Sequence, residues 1–395
     1  MYRQSSVPEN GFLVDEDYIV MTPTAPLTKV FTNYAGWDRS KDRCLNEGPL
    51  LFSAPIPNQF FINKNNWLGH TPNAGLAVLM ADGRTIKQTQ PFARCSEAGD
   101  AASQFVFKDQ DIYGNGYYGA HGASGMSAIG GALRVGELIP GGVIRHVMKL
   151  NIYCHKNTSL NDDGSKGFRW PAVSADGYAG DCKNNPNMCY GGTNRAVEVG
   201  ALVAIPAKLN IKTLSFETEP GKIMATAFQN YGAYLVDDTA WDVAAIVTEF
   251  GPHGRVIDEF KNRFGYTMET GKETAWGRDW AKILKNLHVV DNNTAATIGG
   301  GPTSDFKNRR APMAPEFAVN KTAKILPKGN SLTQNSYPGY RGILYNKLVA
   351  NKFKINFVGT KKDMPTTGGD ADHSGYGGFV ISTGASKRRR LEPSF

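Results

Sequence analysis

The stretch Val143-Ile-Arg-His-Val-Met-Lys-Leu-Asn-Ile-Tyr-Cys-His155 decides the fold class of this 395-residue chain. Its apolar residues recur at every second position, and alternate side chains of a β-strand point to the same face. One face is therefore mostly apolar and consists of Ile144, His146, Met148, Leu150, Ile152 and Cys154. The opposite face carries the polar residues Arg145, Lys149 and Asn151. This pattern predicts a strand with one side in a hydrophobic core.

The segments on either side of this strand favour further short strands over helices. Residues 76–80 and 84–90 predict a hairpin. Further strands are predicted at residues 104–107, 202–205, 342–345, 352–357 and 378–382. Helical periodicity is confined to residues 222–231, 256–264 and 273–287. We therefore expect a mainly β fold, an antiparallel β-sandwich or jelly roll with a few inserted α-helices.

The expected domain organisation is one large domain with an extension at each end. Residues 1–70 are rich in proline, asparagine and aromatic residues and show little periodicity, so they predict a loop-rich N-terminal arm. Residues 71–395 are expected to form a single β-sandwich domain with a helical insertion around residues 221–290. Residues 387–395 form a basic C-terminal tail.

Composition and charge exclude several classes of protein. Hydrophobic residues make up 41% of the chain, enough for a core, and no apolar run reaches the roughly 18 residues of a membrane span. The last 95 residues hold 16 Lys and Arg against 6 Asp and Glu, so the rest of the chain is nearly neutral. Nucleic acid is therefore not an expected partner, apart from contacts that the run Lys387-Arg388-Arg389-Arg390 could make. A solvated tail is the simpler interpretation of that run.

The cysteines and the N-terminal segment favour different cellular compartments. Residues 1–18 contain no apolar segment typical of a signal peptide. Cys182 and Cys189 flank a short polar loop that a disulfide could close, and Cys44 and Cys95 could form a second bridge, which leaves Cys154. Five cysteines are also ordinary for a reduced protein. We expect an extracellular or cell-surface location.

No motif for a cofactor or a metal is present. Gly114-Asn-Gly116-Tyr-Tyr-Gly119 matches the dinucleotide fingerprint in letters, but the next residues do not start a helix. Ser124 does not lie in a G-x-S-x-G elbow, and residues 161–164 lack the spaced ligands of a calcium loop. The sequence therefore predicts neither a cofactor nor a bound metal.

Residues 167–194 combine flat aromatic faces with planar polar groups. Sugars are bound by this pairing, because C–H faces stack on rings while hydroxyl groups take paired hydrogen bonds from amide, carboxylate and guanidinium groups. The same residues are also compatible with a turn-rich sandwich edge that contains core aromatics. Together with two histidines outside the segment, the candidate substrate-binding residues are Arg169, Trp170, Tyr178, Tyr190, Asn194, His121 and His146.

Carboxylates for catalysis are expected near the end of the strand Tyr234–Asp238. Asp237 and Asp238 are adjacent and point to opposite faces of a strand, so one of them would act together with Asp176 or with Glu137. Glycoside hydrolysis needs two carboxyl groups about 5 to 10 Å apart, one as acid and one as nucleophile or base. Alternatively, Asp237 or Asp238 caps a helix over residues 241–249.

Several of these segments also carry a resemblance to a group of secreted microbial β proteins for which no activity is established. The similar segments are Gly136-Glu-Leu138, Ile144-Arg-His146, Gly167-Phe-Arg-Trp-Pro-Ala172, Asp176-Gly177 and Gln229-Asn-Tyr-Gly-Ala-Tyr-Leu-Val-Asp-Asp238. They lie between Tyr118 and Glu249, and the resemblance implies an extracellular setting.

The residues and the resemblance together favour a secreted carbohydrate-active protein. Our first expectation is a glycoside hydrolase that cleaves a polysaccharide with two carboxylates, and its partner is then a polysaccharide or oligosaccharide. The alternative is a non-enzymatic glycan-binding protein or a structural protein of a filament or capsid-like assembly. A homo-oligomer is compatible with both.

Overall fold

A computed structural model describes residues 11–63, 69–300, 323–329, 333, 340–350, 354–363 and 369–375. Contacts within the chain divide it into a larger unit, Met1–Pro312, and a smaller unit, Met313–Phe395. The boundary at Pro312 differs from the expected single domain over residues 71–395. The predicted strand at residues 378–382 and the basic tail at residues 387–395 lie outside the described residues.

The larger unit consists of many short strands and four helices among its described residues. The strands are β1 (Phe12–Val20), β2 (Leu27–Thr32), β3 (Leu50–Pro55), β4 (Leu76–Leu79), β5 (Thr85–Gln90), β6 (Ala101–Ser103), β7 (Phe105–Val106), β8 (Gln110–Asp111), β9 (Tyr118–His121), β10 (Met148–Ile152), β11 (Leu202–Ala204), β12 (Ala233–Asp238), β13 (Ala244–Gly251), β14 (Gly254–Arg255) and β15 (His288–Val289). The helices are α1 (Cys154–Asn157), α2 (Glu219–Asn230), α3 (Val256–Phe264) and α4 (Ala275–Lys285).

Eleven of these strands form one sheet in the order β15-β11-β12-β10-β13-β1-β4-β5-β7, with β14 beside β13 and β8 beside β5. The sheet is mixed, because β1 runs parallel to both β13 and β4, and β10 runs parallel to β12 but antiparallel to β13. The prediction of a mainly β fold with a few helices is confirmed. The expected antiparallel pairing holds only in part, since parallel neighbours lie at the centre of this sheet.

Strand β1 lies inside the large sheet, although the sequence predicted a loop-rich arm over residues 1–70. Its sequence Phe-Leu-Val-Asp-Glu-Asp-Tyr-Ile-Val has apolar ends and an acidic middle. Apolar Tyr18, Ile19 and Val20 are buried, and they anchor β1 in the core. The acidic residues interrupt the apolar alternation from which strands are recognised. Two of them, Asp15 and Asp17, belong to the site described below.

Strand β10 confirms the prediction made from residues 143–155. Met148, Leu150 and Ile152 are buried in the main hydrophobic core, as the alternation indicated. The other face differs from the expectation, because Lys149 and Asn151 are 1% and 4% exposed. A second protein layer covers this face, so its polar residues need partners inside the molecule.

Helices α2, α3 and α4 confirm the three predicted helical segments and pack their apolar sides into the same core. Phe228 and Phe12 lie against the ring of Trp280. Thr218 and Thr274 accept hydrogen bonds from the backbone at the starts of α2 and α4, as N-cap residues do. The region around residues 221–290 also supplies β12 and β13, which lie inside the sheet. The predicted helix over residues 241–249 is wrong, because Ala244–Gly251 forms β13.

A second sheet of the larger unit contains β3, β2 and β6. Val30 and Ala54 of this sheet pack in one hydrophobic cluster with Tyr18 and Leu76 of the large sheet. Two disulfides join Cys44 to Cys95 and Cys182 to Cys189, and the buried Cys154 forms none. These are the pairings that the sequence suggested.

The smaller unit contains short strands and one helix in its described part. These are β16 (Ala323–Ile325), β17 (Lys328–Gly329), α5 (Tyr340–Ala350), β18 (Ile355–Phe357), β19 (Lys361–Lys362) and β20 (Asp372–Gly375). The predicted strand at residues 342–345 is wrong, because these residues lie in α5. Buried Arg341 of α5 donates hydrogen bonds to the carbonyl groups of Ala371 and Asp363. No helix in the described parts of the chain is long and apolar enough to cross a membrane.

Candidate functional site

The candidate site lies where three strands of the large sheet and the end of β9 bring polar side chains together. These side chains are Asp15 and Asp17 of β1, His121 of β9, Lys149 and Asn151 of β10, and Asp237 and Asp238 of β12. The pairing of β10 with β12 shifts between Leu150 and Asn151, and this shift sets Asn151 opposite Asp237. A local irregularity of this kind re-aims side chains at a site.

Backbone contacts hold β9 and the loop after it against the sheet. The buried Gln88 side chain of β5 accepts the N–H groups of Ala120 and Ala128 at 3.2 and 2.8 Å. The Ser124 N–H donates to the carbonyl of Val236 at 3.1 Å. These bonds fix His121 between β5 and β12.

A buried ionic group forms the floor of the site. His121 Nδ1 lies 2.9 Å from Asp17 Oδ2, and the Lys149 ammonium donates to the same carboxylate. Lys149 also donates to the carbonyls of Ser127 and Ala128 at 2.9 and 3.2 Å. Burial opposes the charge on Asp17, but His121 and Lys149 outweigh it and lower the pKa of this carboxyl. Burial likewise opposes the charge on His121, and the Asp17 carboxylate outweighs it and raises the imidazole pKa.

Two buried polar atoms at this floor have no hydrogen-bond partner among the described residues, His121 Nε2 and Asn151 Oδ1. His121 Nε2 lies 4.0 Å from Asp15 Oδ2, too far for a hydrogen bond. One ligand atom each of Asp15, His121 and Asp237 lie within 4.8 Å of one another. The sequence predicted no metal ligands, yet these three side chains form a set of the type that binds cations.

Asp237 is held by the loop that follows β9. Its Oδ1 accepts the N–H groups of Ala123 and Asp238 at 3.1 and 2.9 Å. Gly122 lies against the other carboxylate oxygen, and a Cβ atom at Gly122 would be 1.7 Å from Asp237 Oδ2. Only glycine therefore fits between His121 and this carboxylate.

Asp176 and Asp238 meet two tyrosine hydroxyl groups. Tyr190 donates to Asp176 Oδ2 at 2.8 Å, and Tyr178 donates to Asp238 Oδ2 at 3.0 Å. Burial, followed by the charges on Asp176 and Asp238, raises the pKa of Tyr178, so Asp176 lies near the same phenol. The Cys154 N–H donates to Asp238 Oδ1 at 2.7 Å. The structure thus brings together four residues that the sequence singled out.

The carboxyl groups of this cluster hold their protons more tightly than usual. Burial, followed by the charge on Asp176, raises the pKa of Asp237 to about 8. Burial raises the pKa of Asp238 to about 6 and also raises the pKa of Asp176. Burial and the nearby carboxylates raise the pKa of both Tyr178 and Tyr190, so the phenols stay neutral donors. Neighbouring carboxyls that cannot all ionise are typical of acid–base sites.

The remaining candidates contact other groups. Trp170 packs edge-on against Tyr117 and against Tyr234, which lies three residues before Asp237. Arg169 donates to the carbonyl of Asp291 at 2.5 Å. The side chain of Asn194 accepts the N–H of Ala196 at 3.1 Å, a local turn contact.

Glu137 and His146 form a separate ion pair, with His146 Nε2 3.0 Å from Glu137 Oε2. Glu137 also accepts the N–H of Arg134 at 2.7 Å, and His146 Nδ1 lies 2.8 Å from the carbonyl of Val147. Burial opposes the charge on His146, but the Glu137 carboxylate outweighs it and raises the pKa of His146. Their hydrogen bonds go to each other and to nearby backbone, which is a structural arrangement.

The sequence reasoning missed Asp15, Asp17 and Asn151 as site residues and placed Lys149 only on a polar strand face. The sequence of β1 did contain a signal for two of them. Asp15 and Asp17 are two positions apart in a strand with apolar ends, so their carboxylates lie on the same face. Comparison of the chain with models of protein families, with curated proteins and with solved structures finds no match. The chemistry of the site therefore carries the functional inference.

Proposed function

We propose that this chain is a secreted carbohydrate-active protein, a glycoside hydrolase in which Asp176 and Asp238 form the pair of catalytic carboxyl groups. The observation that carries this proposal is the pairing of each carboxyl group with a tyrosine hydroxyl. Tyr178 donates to Asp238 and Tyr190 donates to Asp176, and both carboxyl groups are partly exposed. Burial, followed by the charges on Asp176 and Asp238, raises the pKa of Tyr178, so both carboxyl groups lie near this one phenol.

Asp176 suits the role of general acid. It is half-buried, and burial raises its pKa. Tyr190 donates to Asp176 Oδ2, which leaves the other oxygen to carry a proton toward the glycosidic oxygen. A carboxylic acid kept partly protonated near neutral pH is the usual donor in this reaction.

Asp238 suits the role of nucleophile. Retaining glycosidases hold their two carboxyl groups about 5–5.5 Å apart, and Asp176 and Asp238 both lie near Tyr178. In the first step the Asp238 carboxylate bonds to the anomeric carbon while the glycosidic bond breaks, and the leaving oxygen takes the Asp176 proton. In the second step Asp176 removes a proton from water, whose oxygen displaces Asp238 and releases the sugar with retained configuration.

Other features support the setting of this reaction. Trp170, which is partly exposed and contacts Tyr234 of β12, offers an aromatic ring on which a sugar can stack. Two disulfides are typical of proteins outside the reducing cytosol. The packing of the β3-β2-β6 sheet on β1 and β4 supports the sandwich arrangement that we expected from the sequence.

The experiment is hydrolysis of a polysaccharide panel by the wild type, Asp176→Asn, Asp238→Asn and the control Asp162→Asn, read as new reducing ends. Asp162 is 95% exposed and pairs only with Arg195 among the ion pairs of the described residues. We expect D176N and D238N to lose about 10²–10⁴-fold in rate with unchanged folding, and D162N to keep full activity. An aryl glycoside whose leaving group needs no proton should restore much of the D176N rate. Full activity of D176N, or no cleavage of any polymer, contradicts the proposal.

Glycan binding without catalysis is the second candidate, favoured by an exposed aromatic pair. Trp37 and Phe105 stack with ring centroids 5.2 Å apart, and they are 51% and 40% exposed. Exposed stacked rings of this kind bind sugar faces in solution. Retention of the protein on polysaccharide gels that is lost in Trp37→Ala, without any cleavage, favours this second function.

A further inference from the structure

We propose that Asp15, His121 and Asp237 bind one divalent transition-metal cation, zinc or manganese, through one carboxylate oxygen of each aspartate and His121 Nε2. This inference goes beyond the proposed hydrolase activity, and measurements of metal binding test it independently of that activity.

The three ligand atoms come from three different elements and lie within 4.8 Å of one another. Around zinc, with bonds of about 2.0–2.2 Å, ligand atoms are roughly 3.3 Å apart. Movements of about 1 Å or less therefore close the set around an ion. A histidine nitrogen with two carboxylates suits zinc or manganese better than calcium, which takes oxygen ligands only.

His121 supplies the independent observation that this is a ligand site and not simply an acidic cluster. The residue is 3% exposed, and its Nε2 has no hydrogen-bond partner among the described residues. A buried N–H at this position would cost free energy with no acceptor in reach. A neutral imidazole with its Nε2 lone pair on a cation removes that cost.

The partner on the other side of the imidazole sets the required tautomer. His121 Nδ1 lies 2.9 Å from Asp17 Oδ2, so Nδ1 carries the proton and Nε2 faces Asp15 and Asp237. Metal-binding histidines are usually held in this way by a carboxylate behind the ring. The ammonium of Lys149 also pairs with Asp17, so this carboxylate keeps a positive partner when His121 is neutral.

The two carboxylate ligands are also held in place. Asn151 Nδ2 donates to Asp15 Oδ2 at 2.8 Å, and two backbone N–H groups hold Asp237 Oδ1. Neither aspartate forms an ion pair with a lysine or arginine in the described part of the chain, so no basic side chain of that part takes the place of a cation between them. The Asp15 side chain is 40% exposed, which gives an ion access from solvent.

The test is titration of chelator-treated protein with zinc chloride, manganese chloride or calcium chloride, followed by calorimetry. We expect one zinc or manganese ion per chain and little calcium binding. The variants Asp15→Asn and His121→Gln should weaken binding at least about 100-fold, the scale of changes at the ligand shell. Because the buried His121→Gln variant could destabilise the fold, the half-exposed Asp15 variant carries the test independently.

His146→Gln is the matched control, since His146 is bonded to Glu137 and to the Val147 carbonyl. This variant should bind the ion as the wild type does. Cobalt substitution adds a spectroscopic readout, because ligand-field bands report a nitrogen and oxygen ligand set. The absence of saturable zinc and manganese binding, calcium binding alone, or unchanged affinity in both ligand variants overturns the inference.

Failure of this inference is separable from failure of the hydrolase proposal. Asp176→Asn should lose hydrolysis and still bind one metal ion, because Asp176 is not among the three ligands. A chain that binds zinc but cleaves no polymer supports the site and contradicts the hydrolase. A chain that cleaves polymer but shows no saturable zinc or manganese binding does the reverse.

Discussion

At the scale of single residues, the fully buried group of Asp17, His121 and Lys149 is the feature that most needs a functional reason. Their exposed fractions are 1%, 3% and 1%. Removing charged groups from water costs several kcal/mol each, and well-packed apolar residues are often equally stable in their place. The buried ionic group is therefore not explained by a gain in stability over apolar residues. It holds the outward nitrogen of His121 toward Asp15 and Asp237.

Gly122 is the residue whose substitution should damage the site most directly. Its φ of +31° disfavours other residues, and a Cβ would collide with the Asp237 carboxylate. We expect Gly122→Ala to lower the free energy of unfolding by about 2–4 kcal/mol and to abolish metal binding. Urea unfolding and calorimetry measure both effects.

Gly116→Ala is the matched control for that experiment. Gly116 has a φ of +67°, and no atom lies within 4 Å of its added Cβ. It therefore measures the backbone cost alone, about 1 kcal/mol. Equal losses in the two variants would show that Gly122 serves only the backbone turn.

The His146–Glu137 pair should make stability depend on pH. Both ring nitrogens of His146 face acceptors, the Glu137 carboxylate and the Val147 carbonyl, and the nearby Arg134 is the opposing charge. Because the pair raises the pKa of His146, its contribution is complete below about pH 6.5, the unfolded value. It is lost as the pH rises through the higher folded value.

We therefore expect His146→Gln to cost about 0.5–1 kcal/mol at pH 6 and progressively less toward pH 9. Thermal unfolding of both proteins across this range measures the difference. Glu137→Gln should show the same trend and leave hydrolysis intact, because Glu137 is bonded away from the acid pair. A constant difference across the pH range would contradict a role for this charge.

At the scale of elements, the sequence predicts correctly those strands and helices whose apolar residues follow one clear period. The alternation of Met148, Leu150 and Ile152 predicted β10, and the apolar stripes predicted α2, α3 and α4. Strand β1 was missed because its acidic residues break that alternation, and the same residues belong to the candidate site. Strand β13 was mistaken for a helix because Ala244–Gly251 is buried at nearly every position, and a continuous apolar run has no period.

Only those residues of the candidate site that lie in locally recognisable segments could be predicted from the sequence. Asp176, Tyr178, Asp237 and Asp238 lie in segments with visible polar and aromatic clustering. Asp15 and His121 are 106 residues apart in the chain, and they meet because β1 pairs with β4, β4 pairs with β5, and β9 is bonded to β5. Pairing partners across a mixed sheet are not fixed by local sequence.

At the scale of the whole molecule, charge separates the site from the basic part of the chain. Five carboxyl groups meet near one lysine at the site, whereas the excess of Lys and Arg lies in the last 95 residues. If the proposed hydrolase activity holds, we expect neutral glycans to be better substrates than sulfated or uronic polymers, because an acidic site repels anions. Every proposed ligand and catalytic carboxyl belongs to the larger unit, Met1–Pro312.

This division predicts that residues 1–312, expressed without the smaller unit, keep the metal site. A ligand at 100 times its Kd stabilises the folded state by about 2.7 kcal/mol. Zinc at that excess should therefore raise the free energy of unfolding of the full chain and of residues 1–312 by the same amount, measured by urea titration with and without the metal. Asp15→Asn should remove the zinc effect from both proteins. If zinc stabilises the full chain but not a folded 1–312 protein, the site requires residues beyond Pro312, and the ligand set drawn from β1, β9 and β12 is incomplete.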